Sequence, residues 1–142
     1  MGLIQILFFV EHCFNVTQAI FDYSQDPNYG FPFCVTALNI SGIGLDLLKE
    51  KHFDEPAIDV GSVHKALNMW YCGAINVFFR TWKEGKSTME DSGSMMDLLR
   101  KQLLGYDTIR RVMVEGSVLS ESYIPKDDEE KGDDEEVEFS QI

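Results

Sequence analysis

Apolar residues recur at spacings of three, four and seven along most of the first 115 residues, which is the period of a helix with one buried face. The first such segment runs from Leu3 to about Tyr23, and Asn15 marks the start of a second helix within it. No stretch alternates apolar and polar residues for long enough to predict a strand. The pattern therefore predicts an all-α protein, a single bundle of about five or six helices.

The loop over residues 24–30 is rich in helix-breaking residues, and a further helix is predicted from Pro32 to about residue 51. Apolar side chains cover this helix nearly all round, which is typical of a helix at the centre of a bundle. Gly42 and Gly44 lie inside it, although each lowers helix propensity by about 1 kcal/mol relative to alanine. We expect these two glycines to let a neighbouring helix approach closely.

The remaining helices are predicted from their start and stop signals. Ser62 can cap a helix that runs from residue 63 to about 83 and stops at Gly85. The polar segment 49–61 contains Pro56 and is predicted to be a connector. Residues 87–90 have the S/T-x-x-E form of a capping box or a short turn, and helical periodicity follows over 95–104 and continues to about 115.

Charge is concentrated at the C-terminus. The formal net charge is −12, and residues 125–142 carry nine acids and only two lysines. Periodicity is lost from Gly116, and low apolar content with high charge predicts disorder. The chain is therefore predicted to be one helical domain over residues 1–115, followed by a disordered acidic tail over 116–142. Nucleic acid is disfavoured as a partner, because phosphate contacts need clustered Lys and Arg.

Two features bear on the cellular compartment. The odd number of cysteines, the absence of CxxC and the apolar surroundings of Cys13, Cys34 and Cys72 predict buried free thiols in a reducing compartment. The apolar run 3–10 could be the core of a signal peptide, but no basic residue precedes it and Glu11 ends it early. A buried helix is favoured, and the run is too short to span a bilayer. The glycosylation sequons at Asn15 and Asn39 matter only if the chain is secreted.

No self-contained catalytic chemistry is predicted. The tetrapeptide at residues 85–88 reads Gly-Lys-Ser-Thr, but Arg80 stands where a phosphate-binding loop needs its first glycine. His12, His52 and His64 are scattered through different segments, and Cys72 lies mid-helix among aromatic residues. We assign no catalytic, cofactor-binding or metal-binding residue, and we expect no cofactor. A binding or regulatory module is favoured over an enzyme.

Two stretches resemble the ELMO (engulfment and cell motility) domain family. Residues 31–41, Phe-Pro-Phe-Cys-Val-Thr-Ala-Leu-Asn-Ile-Ser, are similar to a family helix that begins with [YF]PF and contains an asparagine at the position of Asn39. Residues 69–83 are similar to the family helix with Tyr71-Cys72 followed by Trp82, and Met89 matches the short motif after it. The resemblance covers residues 1 to about 104 and implies a partial ELMO domain.

The resemblance implies a cytoplasmic regulator of Arf-family small GTPases, one that activates a GTPase and is not itself a hydrolase. Residues 2–9 are similar to the end of a family signature whose catalytic arginine would fall just before Met1. That arginine acts as an arginine finger, worth about 10³–10⁵ in rate. Activation by this chain is therefore expected to be weak or absent, as in a truncated isoform or fragment.

Two alternatives stay open. The chain is a non-catalytic scaffold that binds a GTPase or an actin-cytoskeleton regulator, with a location at the cytoskeleton, or it is a secreted helical protein. Binding without turnover distinguishes the scaffold, and glycans at Asn15 or Asn39 would indicate secretion. Arg80, Arg110 and Arg111 do not match the family's arginine motif.

Overall fold

The computed structural model describes residues 2–104 and 106–121. These contain seven α-helices and one 3₁₀ turn, and no strand. The helices are α1 (Gly2–His12), α2 (Phe14–Ser24), α3 (Phe33–Lys49), α4 (Asp54–Val60), α5 (Val63–Glu84), α6 (Ser92–Leu103) and α7 (Tyr106–Glu121), and the 3₁₀ turn is Met89–Asp91. The predicted all-α fold is confirmed, with seven helices where about five or six are predicted from the sequence.

Helix α5 is the centre of the bundle. Six consecutive residues of it, 70–75, are buried, and α1, α3, α4 and α7 all pack against it. The prediction that α3 is the central helix is wrong, because Val35 and Leu38 on α3 are exposed. The Tyr71 hydroxyl donates a hydrogen bond to the Ala37 carbonyl at 3.0 Å and so ties α5 to α3. Burial raises the pKa of Tyr71 well above its usual range, so the hydroxyl stays a donor.

Glycines set the closest helix contacts. A Cβ atom on Gly44 would lie 2.8 Å from a ring carbon of Trp70, so the predicted close approach is confirmed there. Gly42 meets nothing within 4 Å, and the same prediction is wrong for it. The closest approach lies between α5 and α7, where Gly73 faces the Val112 carbonyl and Gly116 faces a carbonyl of α5.

The segment predicted to be a connector contains a helix. In α4, Pro56 is the third residue, in the first turn, where a missing N–H breaks no intrahelical bond. Asp54 and Glu55 in that turn suit the positive end of the helix dipole. Gly61 ends the helix with φ 90°, a left-handed conformation that favours glycine.

The signals around α5 and α6 are partly confirmed. The Ser62 hydroxyl accepts a hydrogen bond from the Lys65 N–H at 3.3 Å, so Ser62 caps α5 as predicted. The predicted capping box exists one residue further along, between Thr88 and Asp91, and it encloses the 3₁₀ turn. Helix α6 then begins at Ser92, three residues before the predicted start.

Helix α7 runs past Gly116 to Glu121, so helical structure continues beyond the residue at which the sequence pattern fades. Most of the predicted acidic tail, residues 122–142, lies outside the described residues. None of the three cysteines, all of which lie in the described ranges, forms a disulfide; Cys13 and Cys72 are buried as predicted, whereas Cys34 is exposed. No single described helix is long and apolar enough to cross a membrane, but α1 and α2, bent by 112°, pass that test as a pair.

Gln5 is a buried polar side chain in the face of α1 that packs on the bundle. It is 2% exposed, and within the described residues neither its amide nitrogen nor its amide oxygen has a hydrogen-bond partner. One turn before it, Gly2 contacts Leu38 of α3, and one turn after it, the ring of Phe9 lies edge-on to Tyr71 of α5. An unpaired buried polar group costs about 1–3 kcal/mol.

Replacing Gln5 by methionine, which has a similar shape, is therefore expected to raise the free energy of unfolding by about 1–3 kcal/mol. Urea unfolding followed by circular dichroism measures this change. The control is Gln18→Met, because Gln18 is exposed and bonds Asp22 at 3.0 Å, and its effect should stay within about 0.5 kcal/mol. An unchanged or lower stability of Q5M would contradict the unpaired state of the Gln5 amide.

Candidate functional site

The candidate site begins at the loop between α2 and α3. The Asp26 carboxylate accepts hydrogen bonds from the N–H groups of Asn28 and Tyr29, both at 2.8 Å. These bonds, first that from Tyr29, lower the pKa of Asp26, so it is charged at neutral pH. Gly30 is required here because a Cβ atom would overlap the carbonyl oxygen of Ser24. The loop thus has one compact conformation that directs the next residue, Phe31, into the bundle.

Phe31 lies between two aromatic residues of α5. Its ring centroid is 5.1 Å from that of Phe78 and 5.3 Å from that of Trp82, both in edge-on geometry. The Trp82 indole N–H donates a hydrogen bond of 2.7 Å to the Tyr29 carbonyl. Aromatic contacts of this kind add about 0.5–1.5 kcal/mol each beyond their buried area. The end of α5 and the start of α3 are therefore held in a fixed relation.

A groove of about 470 Å³ opens above these aromatic residues, between α3 and α6. Its surface is mainly apolar, and two flexible methionines, Met89 and Met96, stand at its α6 side. The remaining lining residues come from the loop, α3, α5 and α6: Phe31, Pro32, Val35, Thr36, Asn39, Phe78, Trp82, Ser92, Gly93 and Asp97. The size and apolar surface are those of a ligand- or partner-binding site.

The rim of the groove is acidic. A second hollow of about 670 Å³ shares Phe31, Pro32 and Met89 with the groove and adds Asp26 and Glu90 to its edge. Asp97 of α6 stands on the other side. No Lys or Arg lies among the residues that line the two hollows in the described ranges. This rim is not predicted from the sequence, because its acids come from three separate segments and no motif joins them.

The residues that carry the family resemblance divide into two groups. Phe31, Tyr71, Cys72 and Trp82 are buried and build the frame. Asn39 is exposed on the groove wall, and within the described part of the chain its side chain makes no hydrogen bond. Met89 is exposed too. The buried residues stabilise the fold, whereas Asn39 and Met89 are accessible to a partner.

The four arginines lie away from the groove, and three of them are bound to carboxylates. Arg80 contacts Glu115 at 2.8 Å, and this hydrogen bond raises the pKa of Arg80. Arg100 contacts Asp46 at 2.8 Å, and Arg110 pairs with Asp59 and Glu55.

Arg111 is the exception among the arginines, since its hydrogen bond, of 3.5 Å, goes to the Thr108 hydroxyl. Arg111 lines a smaller hollow of about 380 Å³ with Arg80 and Glu115, so it does not face the groove either.

The Gly-Lys-Ser-Thr tetrapeptide forms no phosphate cradle. The N–H groups of Gly85, Lys86 and Ser87 donate to carbonyls at the end of α5, so they are used to cap that helix. Within residues 2–104 and 106–121, no group of three or more His, Cys, Asp or Glu side chains is placed to hold a metal ion.

Comparison with known proteins gives the family. A model of the ELMO/CED-12 family matches residues 1–96. ELMO domain-containing protein 3 from Mus musculus is 26% identical over 98 residues, 68% of this chain and 26% of the relative. The protein of the same name from Homo sapiens is 24% identical over 115 residues, 80% of this chain and 30% of the relative. The chain thus corresponds to less than a third of these relatives' length, and no solved structure matches. Because the family model covers most of the chain, this protein belongs to the ELMO/CED-12 family.

Proposed function

We propose that this chain is a regulatory module that binds a small GTPase of the Arf family through the groove between α3 and α6. The observation that carries the proposal is the position of Asn39 and Met89, two residues of the family pattern that are exposed at one mainly apolar groove. Residues that stabilise only the fold would be buried, as Tyr71 and Trp82 are. Family membership supplies the link to small GTPases.

The arginines support binding without strong activation. An arginine finger must leave its own protein and reach the phosphates of the bound nucleotide. Three of the four arginines are already paired with carboxylates of this chain, and Arg111 contacts Thr108 on its own helix. The chain would then regulate by occupying the GTPase and not by completing its active site.

Single-turnover GTP hydrolysis tests this proposal. An Arf-family GTPase loaded with GTP is expected to bind the chain in a pull-down, while its hydrolysis rate rises far less than the about 10³–10⁵-fold of an arginine finger. Arg111→Ala should leave both results unchanged, because Arg111 does not line the groove. A large acceleration that R111A removes would contradict the proposal and identify Arg111 as the finger. Failure of the GTPase to bind in either nucleotide state would also contradict it.

The second candidate is a scaffold for an actin-cytoskeleton regulator, with a location at the cytoskeleton. The paired arginines favour it, since a scaffold needs no free catalytic group. A pull-down that returns such a regulator, with no Arf-family GTPase bound in either nucleotide state, would support the scaffold over the GTPase regulator.

A further inference from the structure

The groove has the shape of a binding site for one helix. Helices α3 and α6 are its walls, and Phe78 and Trp82, one turn apart on α5, are its floor. The α3 wall presents residues at helical spacing: Pro32, Val35, Thr36 and Asn39. Opposite them, Ser92 and Gly93 are small, and a Cβ atom on Gly93 would meet nothing within 4 Å. Two helical walls with a gap between them match the ridges and grooves of helix packing.

We propose that this groove binds an amphipathic helix of a partner protein, with its apolar residues against Val35 and Met89 and its Lys or Arg residues beside the acidic rim. The inference rests on the proposed function, because it names the chemistry by which the GTPase, or another partner, enters the same site. It goes further in fixing both the shape of the occupying segment and the sign of its charge.

The geometry favours a helix over the other common peptide conformations. An extended peptide binds by adding a strand to an exposed sheet edge, and the described residues form no sheet. A polyproline segment docks on exposed aromatic faces, whereas Phe31, Phe78 and Trp82 are all nearly covered. Among the residues that line the groove, the large apolar side chains that are exposed are Val35 and Met89, and side chains of this kind can contact the apolar stripe of a helix.

The acidic rim predicts that the partner segment is positively charged. Asp26, Glu90 and Asp97 stand at the rim of the two joined hollows, and no cation lines either hollow in the described ranges. The hydrogen bonds to Asp26 keep it ionised and fixed in place. The net charge of −12 attracts a basic partner over longer distances, and the rim orients it at contact.

Asn39 adds a side-chain amide to the α3 wall, beside Pro32, Val35 and Thr36. Asparagine is a poor helix former, and Asn39 in the middle of α3 gains no side-chain hydrogen bond within the described part of the chain. Its amide can both donate and accept, so it suits a polar residue of the partner helix. An amide in such a position can set the register of the bound helix, as a buried asparagine does in a coiled coil.

The probe for the test is a peptide of about 18 residues, roughly five helical turns, with Leu at i, i+3, i+4 and i+7 and Lys elsewhere. A matched peptide carries Glu in place of Lys. Fluorescence anisotropy with the full chain is expected to show binding of the Lys peptide, weakened at high salt, and at least tenfold weaker binding of the Glu peptide. Equal binding of the two peptides would overturn the proposal.

Two variants locate the bound peptide. Gly93→Leu adds a side chain in the groove where there is open space, and it should weaken binding about tenfold or more. Gly42→Leu is its control, because Gly42 is equally open but lies outside the groove. The double variant E90K/D97K should also weaken binding, and E11K/E50K, with the same charge change elsewhere, should do so much less. Unchanged binding by G93L would place the peptide elsewhere and overturn the proposal.

The same four variants, assayed with the GTPase, separate this inference from the proposed function. If the GTPase does not bind while the Lys peptide binds and G93L weakens it, the proposed function fails and the groove inference stands. If the GTPase binds the unaltered chain and G93L equally, the groove inference fails and the proposed function loses only its assigned surface. Because the acidic tail is the same in every variant, attraction of the Lys peptide to the tail cannot produce a difference between G93L and G42L.

Discussion

Replacing Gly73 by alanine is expected to lower the free energy of unfolding by about 3 kcal/mol or more. The added Cβ would overlap the Val112 carbonyl oxygen, which is part of the α7 backbone and cannot move aside as a side chain can. Gly116→Ala meets the same obstacle, since its Cβ would overlap the Met69 carbonyl oxygen of α5. Either change must push α7 away from α5 along its length and expose buried residues of both helices.

Urea unfolding followed by circular dichroism measures the loss, and Gly42→Ala is the matched control. Gly42 also lies inside a helix but has nothing within 4 Å of a Cβ, so alanine there should stabilise by up to about 1 kcal/mol. Both changes replace glycine by alanine, but their expected effects on the free energy of unfolding have opposite signs. If G73A unfolded at the same urea concentration as the unaltered protein, the close contact between α5 and α7 would be wrong. If G73A failed to accumulate in folded form while G42A folded, the loss would be at the upper end of the expected range.

This prediction also concerns the extent of the folded unit. The family match ends at residue 96, yet α7 contributes Ile109, Val112 and Met113 to the buried core. A helix beyond the matched region that fills the core is part of the domain and not an appendage. The glycine variants test that statement by separating α7 from the bundle without shortening the chain.

The sequence predicts most helices because their signals are local. The Ser62 cap, the apolar stripe of α5 and the stop at Gly85 all lie within one segment, and each is found where it is predicted. Glycine is ambiguous in the sequence alone. At Gly116 it suggests the end of a helix, whereas in the bundle it lies at a close contact between two helices. Only the position of α5 distinguishes the two meanings. Pro56 is misleading for a related reason, because proline ends a helix interior but suits a first turn.

The candidate site is predictable only in part. The family pattern names Asn39, Trp82 and Met89 from residues alone, and the bundle brings them to one groove. The acidic rim is not predictable from the sequence, because Asp26, from the loop after α2, and Asp97, on α6, become neighbours of the groove only through the packing of α3 on α5. The burial of Cys34 is wrongly predicted for a similar reason, since its apolar neighbours in sequence lie on other sides of α3. The sequence pattern predicts the helices, and tertiary contacts determine which side of each helix faces solvent.

Self-association of this chain is the second large effect expected, and it arises from α1. The face of α1 that carries Gln5 and Phe9 is buried, yet the opposite face is apolar as well, with Leu3 75%, Ile4 70% and Leu7 56% exposed. Fully burying a side chain of this size is worth about 1.5–3 kcal/mol. A helix that is apolar all round is normally covered on all sides, so two copies gain stability by covering this face against each other.

Sedimentation velocity over a wide range of concentration should therefore show dimers or larger species. The triple variant L3Q/I4Q/L7Q should be monomeric and remain folded, because these residues contact solvent and glutamine is a good helix former. The matched control is I58Q/V114Q/V118Q, which removes the same number of exposed apolar residues from α4 and α7 and should leave association unchanged. If only the α1 variant is monomeric, the exposed face of α1 is the contact between copies. Nonspecific apolar association would instead be reduced by both triple variants. A monodisperse, cooperatively melting monomer of the unaltered chain would show that the exposed face of α1 alone is too small to hold two copies together.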